Sequence, residues 1–261
     1  FGGVVPEIAA RSHVEMIDGV ARRAMAEAGI DYAALDGVAA TAGPGLVGGV
    51  MVGLSYGKAV ALARGLPLIA VNHLEGHAVS ARLGAETSYP FLLLLVSGGH
   101  CQLLEVRGIG DMSRLGTTID DAAGEAFDKI AKAMGLGYPG GPALERLAAQ
   151  SRENGGDGSR FELPRALLGR KDCDFSFSGL KTAASRLAQT CESEQDRADL
   201  ADAVQKAIAR QLSERTERAM LAYAEQHEAL HFVVAGGVAA NKTIRRTLED
   251  LATKHGFSFL A

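Results

Sequence analysis

Apolar and polar positions divide the chain into stretches with helical spacing and short stretches that are apolar throughout. Val14, Ile17, Val20, Ala21, Ala24, Met25 and Ala28 recur at helical intervals and stop at Gly29, which predicts one amphipathic helix. Ser12-His13-Val14-Glu15 has the form of a capping box, so the helix is expected to begin there, after an extended lead-in over Val4-Val5-Pro6-Glu7. Leu35 to Ala42 reads as a short strand. Gly43-Pro44-Gly45 with Gly48-Gly49 then forms a loop into a helix from Val47 to Arg64. In that helix Gly49, Gly53 and Gly57 fall four apart, a side-chain-free face where another backbone or a ligand can approach closely. Leu68 to Val71 is expected to be a buried strand, followed by a helix over residues 73–83.

The pattern is strongest at Phe91-Leu92-Leu93-Leu94-Leu95-Val96, which has no polar alternation and ends abruptly in Ser97-Gly98-Gly99-His100. The run is too short to span a bilayer, so it predicts a strand buried on both faces at the centre of an α/β sheet. Paired glycines leave backbone N–H groups uncovered, a way for a loop at the end of a strand to hold an anion. Phe232-Val233-Val234-Ala235-Gly236-Gly237 repeats the arrangement and leads through Asn241 into a basic-faced helix ending at His255. Two such loops point to a nucleotide held from two sides. Between them the chain predicts a hairpin partner over His100 to Val106, a helix over Ile119 to Lys129 with acids in its first turn, and a turn-rich loop from Gly135 to Pro142. A helix from Ala143 to Ala149 follows, then a mobile glycine-rich insertion at Asn154 to Ser159 and strand-like alternation at Asp174 to Thr182 before a further helix. A long helix from Arg197 to His227 completes the segment.

Composition adds limits. With 261 residues, 47% hydrophobic and 22% charged, the chain can build one large or two modest cores. A net charge of −4 argues against a generally basic surface, so contact with nucleic acid must rest on local patches or partner subunits. Three cysteines, Cys101, Cys173 and Cys191, are few and not in CxxC spacing, which disfavours a disulfide framework and points to a reducing cytoplasm. The chain opens on Phe1-Gly2-Gly3 and closes on a strand-like Phe257-Ser258-Phe259-Leu260-Ala261, and so reads as an internal fragment of a longer protein.

The histidines carry the sharpest chemistry. In Asn72-His73-Leu74-Glu75-Gly76-His77 the two imidazoles stand at i and i+4, one helical turn apart, a spacing suited to clamping a metal ion. The order is HxExH rather than HExxH, so Glu75 projects away from the pair and a zinc peptidase is disfavoured.

Taken together these segments resemble the bacterial tRNA adenosine threonylcarbamoyltransferases, the TsaD family, once named glycoproteases. The resemblance rests on GGVVPE at 2–7, TAGPGLVG at 41–48, NHLEGH at 72–77, LLVSGGH at 94–100, IDDAAGEAFDK at 119–129, YPGGP at 138–142, DFSFSGLKT at 174–182 and AGGVAAN at 235–241, in order along the whole chain. It implies a two-lobed α/β fold of the actin, Hsp70 and sugar kinase type, with a nucleotide cleft between the lobes. The first lobe would be residues 1–89 without its initial strands; the second, 90–261, would carry a helical insertion at 119–196. By the same resemblance His73 and His77 are the catalytic metal ligands for Fe2+ or Zn2+. Leu95, Val96, Ser97, Gly98, Gly99, Asp128, Gly141 and Asn241 line the substrate. A further aspartate ligand would come from beyond Ala261 and another phosphate loop from before Phe1. The implied reaction passes a threonylcarbamoyl group from threonylcarbamoyl-AMP to N6 of adenosine 37 in tRNAs reading ANN codons. The implied partners are a non-catalytic TsaB-like paralogue and a TsaE-like ATPase, with no membrane.

Three rival readings are weaker. A scaffolding paralogue would lack the HxExH pair. A carbamoyltransferase acting on another acceptor would normally carry extra domains, and the FSFSG motif fits the tRNA enzyme better. A sugar kinase has no use for the histidines.

Overall fold

The structure is a computed structural model, described here for residues 5–80, 82–83, 87–156 and 158–261. It divides into two compact units, one essentially residues 3–77 and the other 78–261, so the boundary falls upstream of the expected one at residue 89. Both units are α/β, as expected.

In the first unit, α1 (Pro6–Ala28) begins six residues before the expected Ser12. Proline at the first helical position is pre-set for helix and has no N–H to satisfy, and it starts the helix where an extended lead-in was expected. Ser12 and Glu15 consequently lie inside α1 and form no capping box there; the Ser12 hydroxyl instead meets Met16 Sδ. The helix ends where the pattern stops, at Gly29 in the left-handed region with φ 69°. A βαβ unit follows: β1 (Val38–Gly43), α2 (Val47–Arg64) and β2 (Leu68–Asn72), with the two strands paired in parallel. β2 is not the buried strand expected, since Ile69 is 61% exposed. Of Gly49, Gly53 and Gly57 only Gly57 makes a close approach, where an added Cβ would sit 3.0 Å from Ala40 Cβ; Gly48, off that spacing, comes as near to Ala10, at 3.1 Å. A hydroxyl chain from Tyr32 through Tyr56 to Asp18 links α1 to α2, and the bond to Tyr32 is the main reason the Tyr56 phenol is held well above its usual range. The unit boundary lies within α3 (His73–Ser80).

The second unit is built on β3 (Phe91–Val96), every residue of which is fully buried. Leu92, Leu94 and Val96 face one apolar cluster and Phe91 and Leu93 the other, the two-sided burial the leucine run predicts. β4 (Cys101–Gly108) pairs antiparallel with β3 as its hairpin partner. β5 (Asp111–Thr117) adds an edge strand that the polar sequence Asp-Met-Ser-Arg-Leu-Gly-Thr did not announce. Then come α4 (Ala123–Ala133), α5 (Gly140–Glu153), α6 (Ser178–Ala188) and α7 (Glu194–Ala224). β6 (His231–Ala235) returns to pair in parallel with β3, and α8 (Lys242–Lys254) leads to β7 (Ser258–Leu260) on its far side. The sheet order is therefore β5-β4-β3-β6-β7, with the leucine strand in the middle.

Several expectations for this unit change. Asp120 and Asp121 precede α4 instead of lying in its first turn. Asp120 accepts the N–H groups of Phe177 and Ser178 at the start of α6, and Asp121 pairs with Lys129 and Lys181. The stretch Asp174 to Thr182 makes one bridge, Thr118 to Phe175, and then turns into α6 instead of running as a strand. The glycine-rich stretch after α5 is anchored, not loose: Gly156 N–H donates to Ser151 O (2.8 Å), Asn154 donates to Gln195 (3.0 Å), and Gly158 lies so close to α7 that a Cβ would be 2.5 Å from Asp199 O. Asp157 lies outside the described residues. The loop before α6 is held by Arg215, which is 2% exposed and donates to the backbone carbonyls of Ala166, Leu167, Arg170 and Asp172.

The tightest point of the unit is where β3 and β6 end side by side. Gly236 has φ +105°, and a Cβ there would lie 2.3 Å from Val96 O. Gly236→Ala combines backbone strain with overpacking, about 1–3 kcal/mol each. Urea denaturation should show a loss of roughly 2–6 kcal/mol from these two terms. A variant as stable as the parent would contradict the close approach.

Candidate functional site

Parallel pairing of β3 with β6 brings both glycine loops to one edge of the sheet, because Leu95 lies opposite Ala235. The first loop is fastened by Ser97, whose hydroxyl oxygen accepts the N–H of His100 (3.0 Å) and, longer, that of Gly99 (3.4 Å). It is also clasped by α4: Gly124 donates to Ser97 O, and a Cβ on Gly124 would lie 2.8 Å from Gly98 Cα. Helix α4 thereby carries its next turns past the loop, and Asp128 with them. Asp128 Oδ1 accepts the N–H of Gly140 (2.8 Å), which fixes the start of α5 and the neighbouring Gly141. After β6, Gly237 to Ala240 form a single 3-10 turn, and Asn241 caps α8 by accepting the N–H of Ile244 (3.0 Å).

These pieces enclose a cavity of about 260 Å3, lined among others by Gly98, Gly124, Phe127, Asp128, Pro139, Gly141, Glu145, Gly237, Val238 and Asn241. It therefore brings together four of the expected substrate residues: Gly98, Asp128, Gly141 and Asn241. Leu95 and Val96 are fully buried strand residues and serve to place the loop. Ser97 braces the loop through its own turn, and Gly99 is exposed. Glu145 carried no recognisable sign in the sequence, and Phe127 and Gly124 lie within the motif at 119–129 without having been singled out there. Glu145 lies one turn beyond Gly141 on α5 and accepts the N–H of Lys242 (2.8 Å), tying α5 to the N-terminus of α8. The chemistry of the cavity is mixed: two carboxylates, the positive end of a helix dipole, and glycine backbone with space beyond it at Gly98 and Gly237.

The histidine pair lies in the first unit. Asn72 caps α3 by accepting the N–H groups of Leu74 (2.9 Å) and Glu75 (3.4 Å), which sets the first turn and the spacing of the pair. The rings of His73 and His77 are edge to face with centroids 4.6 Å apart. Burial, and then the charge of His73, push the His77 pKa below its ordinary value, so its neutral form, the form that can ligate, is favoured. No group of three or more His, Cys, Asp or Glu side chains placed to hold a metal occurs among the described residues. The cysteines are free and do not look reactive: burial pushes all three thiols up, Cys101 furthest. Among the described residues no helix is long and apolar enough to cross a membrane.

The sequence pattern of one family, described as TsaD, tRNA N6-adenosine threonylcarbamoyltransferase, matches residues 1–261. A protein of that name from Caulobacter vibrioides is 71% identical, with an alignment covering all of this chain and 70% of the relative. Relatives of the same name from Maricaulis maris and Paramagnetospirillum magneticum are 58% and 55% identical over the whole chain, covering 70% and 75% of their own lengths.

The bond from Gly140 to Asp128 separates a structural role of that carboxylate from an electrostatic one. Asp128→Ala leaves the buried Gly140 N–H unpaired and should lower stability by about 1–3 kcal/mol. Asp128→Asn keeps the accepting oxygen and should stay near the parent. Equal losses in the two, by chemical denaturation, would mean that the bond does not hold the α5 start.

Proposed function

Because the chain belongs to the tRNA N6-adenosine threonylcarbamoyltransferase family, we propose that the cavity of its second unit holds the adenylate end of threonylcarbamoyl-AMP during transfer to tRNA. The family membership makes the protein a transferase of tRNA modification, forming a bond to N6 of adenosine. In the reading advanced here, the acceptor is adenosine 37 of tRNAs reading ANN codons. The amine attacks the carbamoyl carbon, its bond to the adenylate oxygen breaks, and AMP departs. A phosphate anion is the leaving group. The glycine backbone at Gly98 and Gly237 and the N-terminus of α8 suit an anion, through N–H groups and helix dipole. Asp128 and Glu145 suit the opposite need, accepting hydrogen bonds from hydroxyl or amino groups of the nucleoside. The observation that carries this reading is the convergence of Gly98, Asp128, Gly141 and Asn241, far apart in sequence, on one cavity.

His73 and His77 are read as ligands of one divalent ion, Fe2+ or Zn2+, in support of which stand their ring separation and the lowered pKa of His77. Two imidazoles form part of a donor set, leaving the remaining positions to other groups. Such an ion, when bound, supplies Lewis acidity toward an acyl oxygen. The chain's own residues do the rest: the imidazoles bind through neutral nitrogens, and the Asn72 cap fixes their turn. A cytoplasmic setting and work alongside a TsaB-like paralogue and a TsaE-like ATPase belong to the same reading.

The test is reconstitution with threonine, bicarbonate, ATP, those partners and unmodified tRNA, with nucleoside analysis for threonylcarbamoyladenosine and elemental analysis for metal. His73→Ala should lose bound metal and reduce product by roughly two orders of magnitude or more. Metal retained by the variant at parental stoichiometry would remove the ligand assignment.

A further inference from the structure

The longest helix carries a polar side chain that none of the motifs contains. Gln205 lies in α7 and is 0% exposed, on the same helix as the buried Leu200, Val204 and Ile208 of the apolar cluster. A buried primary amide costs stability unless its groups are paired. Both ends of this one are paired, and both partners lie at the start of α8: Nε2 donates to Thr243 Oγ1 (2.7 Å), and Oε1 accepts from Asn241 Nδ2 (2.8 Å).

That second bond braces the nitrogen end of the Asn241 amide, whose orientation the cap of α8 sets. The backbone N–H of Ile244 can only donate, so the Asn241 oxygen must face it, and the amide nitrogen must then face Gln205. Asn241 is 7% exposed and lines the cavity. One oxygen lone pair goes to the helix cap and one N–H to Gln205, which leaves a second N–H as the donor that the amide can offer a ligand. Without Gln205 the cap bond alone would hold the amide, and the Nδ2 side would have no fixed partner.

We propose that Gln205 is a positioning residue for the nucleotide cavity: it anchors the nitrogen end of the Asn241 amide so that the second N–H can donate to a bound adenylate. The inference rests on the reading of the cavity given above and extends it to a residue that does not line the cavity. It also identifies the chemistry recognised at that point as a hydrogen-bond acceptor, such as a ring nitrogen or a ribose or phosphate oxygen.

Gln205→Met keeps length and apolar packing but removes both bonds; Gln205→Glu keeps an acceptor for Asn241 Nδ2 and can accept the Thr243 hydroxyl proton. With AMP as the probe in calorimetric titration, Q205M is expected to bind about tenfold more weakly than the parent, or about 1.4 kcal/mol. Q205E should bind within about threefold of the parent, a difference of less than 1 kcal/mol. In the transfer assay Q205M should raise the KM for the adenylate donor with kcat little changed, a split that general loosening of the fold would not give. Should Q205M not fold, Gln205→Asn, too short to span both partners, carries the same expectation. Folded Q205M with parental AMP affinity, or equal impairment of Q205M and Q205E, overturns the inference and leaves the cavity reading standing. Absence of AMP binding by the unsubstituted chain removes the cavity reading, and this inference with it.

Discussion

The second unit depends on one pairing, that of β3 with β6. Because the two strands run in parallel, their carboxyl ends finish together, and loops far apart in sequence become neighbours. Gly236 lets them close up, since any side chain there would meet the Val96 carbonyl. Everything around the cavity is attached to this edge. α4 clasps the first loop through Gly124, α5 hangs from Asp128 through Gly140, and α8 starts from the turn that follows β6. The sheet centre supplies the rigidity: six consecutive residues with no exposed surface cannot move without disturbing the apolar layers on both faces.

The cavity shows how polar groups can serve structure and binding at once. Asp128, Glu145 and Asn241 each satisfy the start of a helix: Asp128 the Gly140 N–H, Glu145 the Lys242 N–H, and Asn241 the Ile244 N–H. Helix starts leave N–H groups without intrahelical partners, so these side chains would be required even in a molecule with no ligand. The same residues line a cavity, which makes their orientation independent of what enters it. Preorganisation of this kind lowers the ordering cost of binding.

How much of this the sequence disclosed follows from range. The leucine run, the glycine pairs and the helix-ending Gly29 are local signals, and the structure places each where the pattern says. The starts of elements were less legible: Pro6 begins α1 ahead of a Ser-x-x-Glu sequence that only resembles a capping box, and Asp120 caps a helix more than fifty residues downstream instead of its own. Edge strand β5 escaped because a strand with one solvated side and four polar residues carries little periodic signal. Glu145 and Gln205 could not have been singled out, for their meaning lies wholly in partners on other elements. The anchored loop after α5 makes the same point in reverse: glycines that look like slack are there because α7 passes too close for any side chain.

The Arg215 clasp has an implication for how this chain can vary. Its guanidinium donates to main-chain oxygens of residues 166–172, and the Asp172 carboxylate adds a charge attraction, so what it recognises is chiefly the path of the backbone. Substitutions in that segment that spare its course leave these backbone bonds intact, whereas Arg215, which makes most of them beside Arg218, has no comparable freedom. A surface stretch can therefore drift in sequence and acquire new contacts while its shape is dictated from the interior.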